Sequence, residues 1–241
     1  MEELDALVRR ADEDRWLASR FAPPVVRRRR IAVYAVNHEI ARTPETVREA
    51  TLGDIRLAWW REAIEEVFAG KRPRSHPALA ALHAAHQETS MPQSAWERLI
   101  DARRADLEPA PFTTRAQLEA YIDATAGGVM RVAAACCAPN ATEHEALIAR
   151  LAQRWGVSGI LRSEQFWRGR GRDLIPADTS REELLAALRT CSAENVPAQL
   201  FPSLGYAALL PTYLRRDGVG SEAPLLQRQF RLVVSSATGR V

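Results

Sequence analysis

Residue types able to do chemistry are thinly scattered in this chain. His83 and His86 stand three apart, a spacing at which two imidazoles on one helix face could share a metal ion. No Glu or Cys joins them, the HExxH pattern is absent, and they read as surface or groove histidines. Asp101 and Asp106 flank Arg103 and Arg104 at a spacing that keeps the two carboxylates off one helix face, so they read as surface acids in salt bridges. Glu143, His144 and Glu145 open a helix, where acids suit the positive end of the dipole. There is no GxSxG and no P-loop, and the GRG at 169–171 is too short for a dinucleotide fingerprint. The most loaded stretch is ILRSEQFWRGRGRDLIP, residues 160–176, where arginines crowd a helix end around two aromatics, Phe166 and Trp167. Arginine pairs with phosphate-like groups more directionally than lysine does.

The elements that must position these residues are helices. Apolar residues recur at helical spacing almost everywhere, and β-branched runs bounded by turn signals are nearly absent. A first helix is expected over residues 4–19, and Ala22-Pro23-Pro24 starts a second that carries Arg27 to Arg30 in its first turn as a solvated basic collar. Thr43-Pro44 interrupts it. A long helix follows with the stripe Leu52, Ile55, Trp59, Ala63, Val67 and stops at Gly70. Shorter helices are expected after Pro77 and around Trp96. An amphipathic helix over 113–137 holds Gly127-Gly128 in its interior, where two glycines mark close packing, a kink or a ligand approach. Another spans 141–166, and Ser180 with Glu183 forms a capping-box pattern before the next.

Composition narrows the classes. With 241 residues, 46% hydrophobic and 26% charged, the chain fits one soluble globular domain over residues 1–241. Net charge is only +3, and Lys71 is the single lysine. A balanced charge without a recognition motif argues against a nucleic-acid partner. Cys136, Cys137 and Cys191 offer neither a CxxC pair nor an even disulfide framework and read as small buried side chains in a reducing compartment. The start, MEELDALVRRADEDRW, is acidic where a signal peptide is basic, and no run approaches the ~18 apolar residues of a spanning helix. A cytoplasmic protein is expected, with peripheral contact at the cytoplasmic face of the inner membrane left open.

Four segments then match one family in order and spacing: DRWLASRFAPPVVRRRRIAVYAVNHEIAR, LGDIRLAWWREAIEEVFAGKRPRSHPALAAL, LIDARRADLE with LEAYIDATAGGVMRVAAACC, and ILRSEQFWRGRGRDLIP. Over residues 14–176 the chain resembles the squalene/phytoene synthase family of head-to-head prenyl transferases. The resemblance implies an all-α bundle of about eight to ten helices around a central cavity, the isoprenoid-synthase fold. In that family two aspartate-rich motifs on facing helices hold Mg²⁺, which neutralises charge on a departing diphosphate.

Those carboxylates are missing here. Aligned on Tyr34-Ala35, the first motif falls on Ala41, Arg42 and Glu45, of which only Glu45 is acidic, and Pro44 disrupts its helix. In the second motif Gly159 stands for Asn, Ser163 for the first Asp, and Phe166 and Trp167 for the Glu-Asp pair. Leu161, Arg162, Gly171, Arg172 and Pro176 keep the frame. Glu164 lies about 100° round the helix from Ser163 and is a poor substitute. With the metal lost, Arg162 and Arg172 are the candidate anion or diphosphate ligands, Tyr34, Gly127 and Gly128 the candidate cavity lining, and no cofactor is expected. Such loss resembles the degenerate branch of the family that serves assembly of respiratory complex I, through Asn37, Glu39 and Ala41 and the aromatics after Leu161-Arg162. The implied role is non-catalytic, with a respiratory-complex subunit or a prenyl or lipid chain as partner. The alternative is a divergent Mg²⁺-dependent transferase acting on farnesyl or geranylgeranyl diphosphate.

Overall fold

A computed structural model of the chain describes residues 1–47, 49–215, 218–220 and 223–241. Among them eleven α-helices have seven or more residues: α1 (Glu2–Ala11), α2 (Glu13–Ser19), α3 (Pro24–Ala41), α4 (Ala50–Phe68), α5 (Pro77–Glu88), α6 (Gln93–Ala102), α7 (Arg115–Ile122), α8 (Gly128–Ala135), α9 (Glu145–Arg168), α10 (Arg181–Arg189) and α11 (Leu225–Thr238). The all-α expectation holds. The described strands form one antiparallel ribbon, Leu214–Arg215 against Gly218–Val219.

Local chemistry explains the boundaries. Pro24 opens α3 in the first-turn position where a missing N–H costs nothing, and Gly70, at φ 69°, follows α4 in the left-handed conformation. The Ser180 hydroxyl accepts from Glu183 N while the Glu183 carboxylate accepts from Ser180 N, which completes the expected capping box of α10. The first expected helix, in contrast, is two. Asp12 leaves helical geometry at φ −150° and its carboxylate accepts from Arg15 N at 3.2 Å, so it stops α1 and caps α2. The expected helix over 113–137 is also interrupted, by a π-helical turn at Asp123–Gly127 between α7 and α8.

Three apolar clusters make the interior. One joins α1, α3, α4, α5, α6 and α8 around Tyr34, Leu57 and Trp96; a second joins α2, α9 and residues 200–213 around Trp155, Phe201 and Tyr206; a third packs α7 and α10 on α9. Packing corrects two sequence expectations. Helix α4 buries Gly53, Leu57, Trp60, Ala63, Ile64 and Val67, and leaves Leu52, Ile55 and Trp59 exposed. Gly53 fits this face closely: a Cβ there would stand 2.4 Å from a methyl of Leu107, so a larger residue would require that side chain to shift. The basic collar on α3 is not solvated throughout either. Arg28 is exposed, but Arg30 is fully buried and donates to Ser19 O at 2.9 Å.

Candidate functional site

A cavity of about 450 Å³ opens where the clusters meet, a size suited to one small molecule. Helix α2 contributes Asp14 and Arg15, α3 contributes Asn37 and Ala41, the π turn contributes Thr125 and Ala126, and α9 contributes Trp155, Gly159, Arg162, Ser163 and Trp167. Arg103, Asp106, Tyr121, Arg172, Tyr213 and Arg228 complete the wall.

Each acid on the wall is already engaged by arginine. Asp14, 6% exposed, accepts from Tyr213 Oη at 2.6 Å and Arg228 Nη1 at 2.8 Å, with Arg162 Nη1 3.6 Å away. Arg228 also pairs with Glu13, and Asp12 pairs with Arg15. Across the cavity Asp106 is 8% exposed and accepts from Tyr121 Oη at 2.6 Å and Arg103 Nη1 at 3.0 Å. This overturns the reading of Asp106 as a surface acid; the turn after α6 carries it inward, whereas Asp101 remains on the surface beside Arg61. Burial pushes the Tyr121 and Tyr213 hydroxyls well above the usual phenol value, with Asp106 and Asp14 adding to the shift. Both tyrosines therefore stay neutral donors to their carboxylates.

A magnesium ion wants several free carboxylate or carbonyl oxygens in near-octahedral array. These carboxylates are committed to guanidinium groups, and among the described residues no group of three or more His, Cys, Asp or Glu side chains is placed to hold a metal. The residues present do not fit the ion.

The expected motif positions separate into two sets. Ala41, Gly159, Arg162, Ser163, Trp167 and Arg172 do meet at the cavity. Ser163 Oγ turns back to donate to Gly159 O at 2.9 Å, a satisfied helix hydroxyl. Arg42 and Glu45 are exposed beyond the end of α3, with Glu45 in a short helical turn, Thr43–Thr46, that carries Pro44 in its first turn. Phe166 points outward at 44% exposure under the Arg170 guanidinium and does not fill the cavity. Glu164 faces away, paired with Arg168 and Arg181.

The expected lining residues need correction. Tyr34 is 2% exposed within the first core cluster and is not on the cavity wall. Gly127 and Gly128 are not on it either. A Cβ on Gly128 would lie 3.2 Å from Ala95 O, and one on Gly127 would lie 2.7 Å from Arg131 Nη1, so both glycines serve packing around the π turn.

The two candidate anion ligands differ. Arg172 donates to Glu108 O at 3.0 Å and Ala105 O at 3.3 Å and lies on the Trp167 ring, and burial pulls it below the usual guanidinium value. It braces the loop after α6. Arg162 lies 4.8 and 4.3 Å from the ring centroids of Trp155 and Tyr213, and its buried Nε has no partner. Nearby, Asn37 is 8% exposed and its Oδ1 has no partner. Sequence reasoning missed Asp14, Tyr213 and Arg228 as site residues. Asp14 lay within a quoted motif, but nothing local signals its partners 199 and 214 residues away.

The all-α fold matches solved structures of squalene and dehydrosqualene synthases. It matches squalene synthase HpnC from Alicyclobacillus acidocaldarius with a TM-score of 0.65 at 18% identity, covering 99% of this chain and 93% of that one. A dehydrosqualene synthase crystallised with ligand matches with a TM-score of 0.62 at 16% identity, covering 86% and 71%. The family model described as squalene/phytoene synthase matches residues 8–203, and the chain belongs to that family. Among curated proteins it is similar to NADH dehydrogenase (ubiquinone) complex I, assembly factor 6, of Mus musculus. That pair is 23% identical over 238 residues, with 87% of this chain and 71% of the relative covered. The Homo sapiens protein of the same name is 21% identical over 172 residues, covering 71% and 51%.

Proposed function

We propose that this chain is a family member that no longer ionises a prenyl diphosphate with Mg²⁺ and instead serves assembly of a respiratory membrane complex, complex I, without catalysing a reaction. One observation carries the reading. The helix faces that frame the cavity present Ala41, Gly159, Ser163 and Trp167, while the wall's acids are spent on arginines. Such ion pairs brace the wall, whereas a leaving diphosphate would require the same oxygens free on a cation. The similarity to the assembly factors over most of the chain supports the assembly role.

The cavity would hold one prenyl or lipid chain by an anionic end, with Arg162 as the available cation and Trp155, Ile160 and Leu174 against the chain. No helix among the described residues is long and apolar enough to cross a membrane. Within this reading the protein works on the cytoplasmic side, in peripheral contact with the inner membrane.

A deletion strain tests it, with NADH dehydrogenase activity and isoprenoid products measured together. Loss of assembled complex with unchanged isoprenoids is expected. Normal complex with a missing squalene-like or carotenoid product would establish the transferase alternative. Purified protein given Mg²⁺ and farnesyl diphosphate is expected to release no diphosphate above background; release at an enzyme-like rate would defeat the non-catalytic reading.

A further inference from the structure

Helix α11 presents its polar and apolar sides in the reverse of the usual order. Its only charged residues, Arg228 and Arg231, turn to the body: Arg228 pairs with Glu13 and with Asp14 at 2.8 Å, and Arg231 donates to Ala208 O. Leu232 and Ser235 are buried beside them. Solvent meets the apolar side. Leu226 is 79% exposed, Phe230 73% and Val233 56%, and Ala237 is exposed in line with them. At about 100° per residue these four fall in an arc of about 60°, with the exposed Val234 at its margin. The exposed positions flanking the arc are Gln227, Gln229 and Thr238. A surface helix ordinarily turns its charged residues to solvent, and α11 turns none. The other exposed apolar helix face, on α4, is different: Asp54 and Arg56 interrupt Leu52, Ile55 and Trp59, and the Arg74 guanidinium lies 5.3 Å from the Trp59 ring centroid.

Charge, shape and area together select what covers this ridge. A helix that lies in an anionic lipid interface carries Lys or Arg beside its apolar face, whereas both arginines of α11 are spent inward. A two-fold contact brings each exposed charge close to its own copy, so an uncharged ridge is what self-association requires. The ridge is also self-complementary. Laid antiparallel about an axis between Phe230 and Val233, it sets Leu226 against Ala237 of the second copy and Phe230 against that copy's Val233, so each bulky side chain meets a smaller one. A parallel pair would instead set Phe230 on Phe230 and leave Ala237 facing Ala237. The five apolar side chains expose on the order of 500 Å² per copy, the scale of the largest patch on a typical monomer. Two ridges together bury about 1,000 Å², which is the low end of specific interfaces and suits a reversible dimer.

We propose that α11 is the interface of a two-fold symmetric dimer of this chain, in which the Leu226, Phe230, Val233 and Ala237 ridges of two copies pack antiparallel. The surface lies beyond residue 203, where the match to the family model stops, and the dimer does not rest on the assembly role. Its consequence reaches the cavity all the same. Arg228 and Glu13 stand at the inner side of the N-terminal half of α11 and also on the cavity wall, so the helix that a second copy grips is the one that holds Asp14.

Sedimentation equilibrium of the native full chain over about two decades of concentration is expected to show a reversible monomer–dimer equilibrium, and a monomer throughout overturns the proposal. Phe230→Asp counts twice in a two-fold contact and sets two carboxylates close to the axis. Its dissociation constant is expected to rise by about a hundredfold or more, and an unchanged constant removes the interface from α11. A cross-link reads the register without that variant. Leu226 and Ala237 stand about 16 Å apart along one helix, so in Leu226→Cys with Ala237→Cys a disulfide between the two positions can form only between copies. Mass spectrometry after mild oxidation is expected to find 226 joined to 237; 226 joined to 226 overturns the antiparallel packing. Flotation with vesicles of phosphatidylcholine and phosphatidylglycerol separates the lipid occupant. Native protein that is monomeric in solution and floats, with flotation lost in Phe230→Asp, would assign the ridge to a lipid surface and overturn the second copy.

Discussion

The two helices that face each other across the cavity have departed from the family pattern in different ways. Helix α3 stops at Ala41, so Arg42 and Glu45 fall beyond its end and turn to solvent. Helix α9 runs unbroken from Glu145 to Arg168 and still presents its motif face to the cavity, but with Gly159, Ser163 and Trp167 in place of ligands. One wall ends before most of its motif positions; the other carries its positions on continuous backbone without carboxylates facing the cavity. A helix can therefore line a cavity without metal-binding groups on that face, provided other contacts hold it. On the cavity side of α9 the polar part of that support includes Arg162 with Asp14, to which Arg228 and Tyr213 are also bound.

The sharpest way to break this comparison is to remove the acid at the centre. Asp14→Ala leaves Arg228 and the Tyr213 hydroxyl without their carboxylate in a largely buried place, and a loss of about 3–5 kcal/mol in urea unfolding at pH 7 is expected. A loss no larger than that of an exposed acid would show that the pairs do not brace the wall.

A subtler contrast lies within α9 itself, where Gly156 and Gly159 both line the cavity. A Cβ on Gly156 would stand 2.3 Å from a methyl of Ile122, whereas one on Gly159 meets nothing within 4 Å. Gly156→Ala is expected to destabilise by about 1–3 kcal/mol through overpacking. In the ligand-free protein Gly159→Ala is expected to stabilise by up to about 1 kcal/mol through helix propensity, because no protein atom lies within 4 Å of the added Cβ. Equal effects from the two substitutions would mean that α9 does not distinguish a packed side from an open one.

The smallest effect concerns acid stability at the far edge of α9. Arg150 and Arg154 hydrogen-bond the Glu194 carboxylate and hold it below its ordinary 4.5, while the Glu194 backbone pairs with Val241. The folded state therefore binds this proton less readily than the unfolded chain. Its contribution is present above about pH 4.5 and is lost as pH falls through the lower folded value. Glu194→Gln should lower the melting temperature slightly at neutral pH and flatten its fall in that acid window, because the contribution removed is the one that acid would otherwise remove; an unchanged acid slope would take this pair out of the account.

Much of the fold could be read in the sequence because its signals are local. Pro24, Gly70 and the Ser180–Glu183 pair act over a few residues and placed helix ends correctly. The degenerate positions Ala41, Gly159, Ser163 and Trp167 were legible for the same reason, since a helical motif keeps its spacing whatever fills it, and the structure brings all four to one cavity. Phe166 illustrates the limit. It shares the motif with Trp167, but one step along a helix turns a side chain by about 100°, and that step separates solvent from cavity.

The sequence by itself determined a helical chain, its family frame and the presence of only one acid, Glu45, at the motif positions, all carried by residue type and periodicity. Only the tertiary structure decided which charges meet. Asp14 reaches Arg228 across 214 residues, Asp106 turns from surface to cavity, Arg30 enters the interior against Cys137, and Gly53 fits closely on the face that α4 buries. A charge's partner and a helix's buried side depend on distances between segments remote in sequence, and no local pattern along the chain records those distances.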